Sequence, residues 1–317
     1  MEPRSYKTPS AFKTALEARL RALATGEHTN LHRRRMLLIF DRFLARVVHE
    51  FADALVLKGG LALELRLARA RTPTDVDLRL EDSSATLLPR LQRAGRLDLG
   101  DFLSFEVTVD DHHPEIHEAV YEGFRFRTVC QLAGKPYGTF GVDICFGDPM
   151  LTTPDEITTP DLLGFMGVLP PRIRVYPPET HLAEKLHAYT FPPRTSPNSR
   201  VKDLPDLVLL AQVRSYQAAH LRAAFAETFA FRKTHSVPAT LPSPPEAWSD
   251  EYARIARTDD LPWPSLAAVT DAAQRFLGPV LAGDERLIWS PKTWEWSPAL
   301  PHLDAALRAP APAQRLP

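Results

Sequence analysis

Asp75 and Asp77 stand one residue apart in the alternating stretch Asp75–Leu80 (DVDLRL). On a strand, residues two apart share a face, so the two carboxylates project together while Val76, Leu78 and Leu80 point the other way. Carboxylates at that spacing repel unless a cation or a shared proton neutralises them. Mg²⁺ suits the pair, because one or two carboxylates and a set of phosphate oxygens complete its octahedron. A third acid lies in Gly141–Cys145 (GVDIC), where Val142, Ile144 and Phe146 alternate with Asp143 and Cys145. If the two strands are neighbours, Asp75, Asp77 and Asp143 would build a two-metal cage that clamps attacking and leaving oxygens. Taken singly, each aspartate also fits a solvent-facing strand position.

Three further segments carry chemistry. Gly59-Gly60 opens a helix-patterned run; without a Cβ the backbone amides approach a ligand, and the positive end of the helix favours phosphate. Alone, such a pair is also an ordinary strand-to-helix turn. In Pro178–Ala188 (PETHLAEKLHA), Leu182, Leu186 and Tyr189 form an apolar stripe and leave His181 and Lys185 one turn apart on another face. Beside phosphates Lys185 would offset leaving-group charge; otherwise it is a solvated lysine. Asp203 and Asp206 open a helix in DLPDLVLL, where Asp203 reads as an N-cap and the two acids also make a rigid carboxylate platform. By contrast, His112, His113 and His117 beside Asp110-Asp111 read as a polar loop, and Leu287–Trp296 (LIWSPKTWEW) as aromatic packing on a helical region.

The elements that must position these groups follow from periodicity. Helices are expected over 10–25, with Ser10 as N-cap, 31–50, 61–70 and 84–93, and strands over 53–58, 75–80 and 105–109. An antiparallel pair, 124–132 and 139–146, would turn at AGKPYG. Beyond Pro149 the pattern changes to proline-punctuated helices over about 154–165, 178–190, 203–214, 215–232 and 264–276, with a short one near 299–308. The expected fold is α/β: a mixed or antiparallel sheet flanked by helices over 1–150, a mainly helical domain over 151–308 that completes the site, and a disordered tail over 309–317.

The 317 residues carry a net charge of −1, so no global basic field drives non-specific nucleic-acid binding, and any nucleic-acid partner needs a local patch. His32–Arg35 and Arg172–Arg174 are basic clusters that read as solvated or helix-end charge. The two cysteines, Cys130 and Cys145, have no metal-type spacing and suit a reducing cytosol. No signal peptide and no run approaching the ~18–20 apolar residues of a membrane span is read, so a cytoplasmic protein without membrane attachment is expected.

Lys58-Gly59-Gly60 with Ala62-Leu63, then Arg71 and Asp75–Leu78 (DVDL), resembles the opening motif of the AbiEii toxins. These are the toxin half of type IV toxin–antitoxin and abortive-infection systems, within the nucleotidyltransferase superfamily that has a DNA-polymerase-β-type core. AEKL at Ala183–Leu186 and the R-x-K-D-x-x-D-L pattern from Arg200 to Leu207 follow in the family's order. The resemblance covers about 58–210. It implies a nucleotidyltransferase core in which Asp75 and Asp77, with Asp143, bind Mg²⁺ (Mn²⁺ as a substitute). Lys58, Gly59, Gly60, Arg71, Lys185 and Lys202 would meet the NTP, and Asp203 or Asp206 would complete the site. The family's small hydroxyl residue near the first aspartate has two candidates here, Thr72 and Thr74, on either side of Pro73. One metal with Asp77 or Asp143 would lower the effective pKa of an acceptor hydroxyl. The implied acceptor is the 3′ end of tRNA, whose modification blocks translation, and the implied protein partner is a cognate antitoxin. Rival readings are a nucleotidyltransferase acting on small molecules, as the aminoglycoside-modifying enzymes do, or on protein hydroxyls. A non-enzymatic rival is a nucleotide- or RNA-binding module on a degenerate core.

Overall fold

The computed structural model describes residues 5–26, 30–67, 72–81, 86–111, 123–147, 149–192 and 200–299. Arg71, His112, His113 and His117, the helix expected near 299–308 and the tail over 309–317 lie outside the described residues, Ala299 excepted.

Two helices open the chain, α1 (Pro9–Gly26) and α2 (Leu31–Phe51). At the start of α1 it is Thr8, not Ser10, whose hydroxyl accepts from a helical amide, that of Ala11 at 3.2 Å; Asn30 caps α2 through His32 N at 2.7 Å. Strand β1 (Leu55–Lys58) runs directly into α3 (Gly59–Leu67), and β2 (Asp75–Leu80) returns antiparallel to β1. Helix α4 (Leu87–Gly95) then leads to three consecutive antiparallel strands, β3 (Leu103–Val109), β4 (Gly123–Leu132) and β5 (Lys135–Phe146). The β4–β5 turn is tighter than AGKPYG suggests: only Ala133 and Gly134 are outside the strands, both at positive φ (56° and 71°), as a two-residue hairpin turn requires.

The region expected as a helix over 154–165 is instead strand β6 (Asp155–Thr158), and the unforeseen β7 (Arg172–Val175) pairs with it. Pro154 and Pro160 remove donors and set extended backbone at either end of the four-residue strand, leaving too little room for a helix. The result is one mixed seven-stranded sheet, ordered β3-β4-β5-β2-β1-β7-β6, with β5 parallel to β2 and β7 parallel to β1. Period-two alternation sends Val76, Leu78, Val142 and Ile144 into a core shared with Phe12, Phe40 and Phe43 of the first two helices. The opposite alternation leaves the aspartates on the other face.

Helices α5 (Pro178–Thr190), α6 (Asp203–Leu210), α7 (Ala218–Arg232), α8 (Ser249–Thr258) and α9 (Leu266–Ala282) pack around a second core. A three-stranded sheet joins them: β8 (Tyr216–Gln217), β9 (Leu287–Ser290) and β10 (Glu295–Pro298), ordered β10-β9-β8. The aromatic segment packs as expected. Trp289 is fully buried and donates to Ala211 O at 2.8 Å, and Trp296 stacks on Phe276. Leu63 of α3 belongs to this second core, so the helix that follows the glycine pair is clasped from both sides. No described helix is long and apolar enough to cross a membrane.

Below the sheet a buried charge cluster fixes α2. Arg46, with no exposed surface, places Nη1 and Nη2 on Asp101 at 2.9 and 2.6 Å and spends its remaining donors on carbonyls of Arg42, Leu97 and Leu103. Arg42 joins the same carboxylate at 2.9 Å. Removing Arg46 strips this buried carboxylate of its two-pronged partner and leaves Arg42 as its remaining ion pair, so Arg46→Met is expected to lower unfolding free energy by about 3 kcal/mol, measured by urea denaturation.

Candidate active site

The register of the sheet assembles the acids. Asp77 of β2 lies beside Asp143 of β5, and on its other side Asp77 pairs with Lys58 of β1. The third strand in line, β4, sets Arg125 directly opposite Asp143. Two glycines make space for the carboxylates. Gly59 has φ +67°, and a Cβ there would lie 1.8 Å from Asp77 Oδ2; a Cβ on Gly141 would lie 2.9 Å from Asp75 Oδ1. The Thr74 hydroxyl donates to Asp75 Oδ2 at 2.8 Å, while Thr72 is held away by Asp259, its hydroxyl and amide both donating to Oδ1. Burial, then the Asp143 charge, push the Asp77 carboxyl up to about 6, against Lys58 and Lys185, which lower it.

A cleft of about 230 Å³ opens beside these strands and is closed by the helical half. Helix α5 supplies His181, Glu184 and Lys185 to it. The Lys185 ammonium lies 2.9 Å from Asp203 Oδ1 and 2.8 Å from Asp206 Oδ2. Burial works against the ammonium, but the two carboxylates outweigh it and hold its pKa above the ordinary lysine value. Asp203 therefore turns inward to Lys185 and makes no N-cap hydrogen bond at the start of α6.

Glu184 of the AEKL segment is a second organising acid. It receives Lys58 Nζ at 3.0 Å and Arg232 Nη2, from the last turn of α7, at 3.4 Å. Arg125, Arg200 and Arg232 line the cleft with Lys58 and Lys185, against Asp77, Asp143, Glu184 and Asp203. A chain of net charge −1 thus concentrates five cationic side chains around one opening.

Of the residues expected from the sequence, Lys58, Gly59, Asp77, Asp143, Lys185 and Asp203 line this cleft. Asp75 adjoins it on the same strand face as Asp77, Gly60 forms the first turn of α3, and Asp206 sits buried behind Lys185. Lys202 is exposed and does not line the cleft, whereas Arg200 in the same motif does. Sequence reasoning missed Arg125, Glu184, Arg200 and Arg232. Glu184 and Arg200 stand inside the AEKL and R-x-K-D motifs, and Arg125 in an F-R-F-R alternation that puts Phe126 in the core and Arg125 on the acid face; Arg232 had no local signal. The HRRR cluster is not solvated charge: Arg33 binds Glu64 at 2.6 Å and Arg35 binds Glu17 at 2.8 Å.

Hard oxygen donors flanked by glycine space fit a divalent cation at Asp75 and Asp77. The expected three-carboxylate set meets a competing interaction at its third member. Both Asp143 oxygens accept from Arg125, and no group of three His, Cys, Asp or Glu among the described residues converges as a metal site.

A family model described as "Nucleotidyl transferase AbiEii toxin, Type IV TA system" matches residues 42–296. Among solved structures, the nucleotidyltransferase toxin MenT4 of Mycobacterium tuberculosis aligns with TM-score 0.53 and 18% identity, covering 85% of this chain and 94% of that one. Two Helicobacter pylori structures, the second of them JHP933, align with TM-scores of 0.42 and 0.39 and identities of 17% and 16%. They cover 78% and 76% of this chain, and 93% and 94% of their own. Comparison with curated protein sequences gives no significant match.

His181 provides a pH test of the buried site. It is 1% exposed, and burial, reinforced by Lys185, lowers its pKa to about 3. A histidine with a depressed folded pKa contributes stability above its unfolded value near 6.5 that is lost as pH falls from there towards 3. Between pH 7.5 and pH 5 this residue alone costs the fold about 2 kcal/mol. His181→Gln is expected to reduce the acid-induced loss of urea stability by that amount.

Proposed function

The chain belongs to the AbiEii family of nucleotidyl transferase toxins of type IV toxin–antitoxin systems, and from that premise we propose that its cleft transfers a nucleoside monophosphate from an NTP to the 3′ end of a tRNA. The observation that carries the reading is the convergence on one cleft of the Asp75–Asp77 strand, the Gly59 turn and the Lys185–Asp203–Asp206 triad. The acceptor hydroxyl gives its proton to the acid row, at Asp77 or Asp143, and attacks the α-phosphorus; the bond to the bridging oxygen breaks, and pyrophosphate leaves.

Asp75 and Asp77 would hold a divalent cation, Mg²⁺ or Mn²⁺. When bound, that ion supplies Lewis-acid polarisation of phosphate oxygens. The positive end of α3, reached through the Cβ-free turn at Gly59-Gly60, favours the negative triphosphate. Lys58 and Lys185 add fixed positive charge, each held in place by an acid of the helical half. Arg71 stays a proposed nucleotide contact from the sequence alone, and Lys202 a peripheral one at the cleft margin.

The tRNA acceptor is supported by the local basic lining, since Arg125, Arg200 and Arg232 provide phosphate-binding charge that the chain as a whole lacks. It also fits the cytoplasm, where a cognate antitoxin would restrain the activity.

Incubation with each labelled NTP, Mg²⁺ and total RNA is expected to label a tRNA-sized band. Asp77→Ala should lower the rate by at least roughly 10²-fold. NTP binding without label in any RNA would overturn the tRNA reading.

A further inference from the structure

Three aligned acids would suit two divalent ions, yet Asp143, the third of them, is already held by a permanent cation. Arg125 Nε and Nη2 donate to Asp143 Oδ1 and Oδ2 at 2.8 and 2.7 Å, a two-pronged pairing that engages both carboxylate oxygens. The contact is not an accident of a mobile side chain. Arg125 and Asp143 are direct cross-strand partners on adjacent inner strands of a seven-stranded sheet, with Phe126 and Ile144 anchoring both backbones in the core. Asp143 is in turn the register partner of Asp77, so the guanidinium lies on the flank of the acid row away from Lys58. It reaches the cleft with 38% of its side chain exposed.

Two carboxylates on neighbouring strands repel one another across the strand spacing. Arg125 offsets that repulsion within the fold, without any ion from solution. Asp143 would have to break a charge-assisted pair to serve as a metal ligand, whereas the hydrogen bond that Asp75 accepts comes from a neutral hydroxyl, that of Thr74.

We propose that Arg125 is a built-in cation that replaces the second divalent ion, so that the cleft works with a single exchangeable cation held by Asp75 and Asp77. This rests on reading the cleft as a nucleotidyl-transfer site. Asp143 is then a positioning residue that fixes the guanidinium. The Nη1 group, which takes no part in the Asp143 pairing, is available to a phosphate oxygen of the NTP or the acceptor.

The test counts ions. Native mass spectrometry of the full chain with Mn²⁺ and a non-hydrolysable NTP analogue should give one Mn²⁺ per ternary complex, with the EPR spectrum of an isolated ion. Arg125→Gln frees Asp143 and should bind two, with the spin coupling of ions about 3.5–4 Å apart. Arg125→Gln/Asp143→Asn should return the count to one. Two ions in the wild type would overturn the proposal, as would a count of one in Arg125→Gln that still binds the analogue. A wild-type ternary complex with no ion would overturn the Asp75–Asp77 cation reading beneath it.

Discussion

Carboxylates held in register on neighbouring strands and partly shielded from water set the terms for everything around them. Asp77 and Asp143 face one another because β2 and β5 run parallel with those residues paired, and the apolar alternation of both strands forbids either side chain from turning into the core. Sheet pairing therefore dictates a concentration of negative charge that solvent alone cannot neutralise. The surrounding sequence answers with cations at fixed positions: Lys58 from β1, Arg125 from β4 and Lys185 from α5.

Each answer generates a further demand. A lysine taken out of water needs its own counter-charge, and Lys58 and Lys185 find theirs in Glu184 and in Asp203 with Asp206. Those acids belong to the helical half, so a ladder of alternating charge runs from the sheet into α5 and α6. Apolar residues of similar size would hold the two halves together at less desolvation cost. Stability alone does not call for charge in that position; the nucleotide site proposed for the cleft does. The Arg42–Arg46–Asp101 cluster on the opposite side of the sheet makes the contrast: it lines no part of this cleft and has its donors satisfied by backbone carbonyls.

What was legible in the sequence followed the range of the interactions. The DVDLRL strand keeps its predicted bounds and the GVDIC strand its predicted face, because a two-residue period with apolar alternation is a local signal. Helix α5 also keeps its bounds, with Pro178 marking its start. The segment around Ile157 misleads because its apolar spacing suits either element, and only the pairing with β7 decides. The cations of the cleft were hardest to see. Lys58 and Glu184 lie 126 residues apart, and nothing near either one announces the other. Asp203 shows a local rule losing to a distant partner: its position suits a helix cap, yet a buried ammonium offers more than an amide N–H can.

The glycine pair and the aspartate pair, which look like independent motifs some sixteen positions apart, are one piece of steric design. A left-handed turn accounts for glycine at φ +67°, and the phosphate contact proposed for this helix start would account for a bare backbone. Neither explains the 1.8 Å between its missing Cβ and Asp77 Oδ2. Any side chain at position 59 would displace the carboxylate before it could obstruct a nucleotide. Gly141 does the same for Asp75 from the neighbouring strand. The spacing of both motifs is therefore set by the room two carboxylates need, and the phosphate end of the site inherits a turn that the carboxylate end already requires.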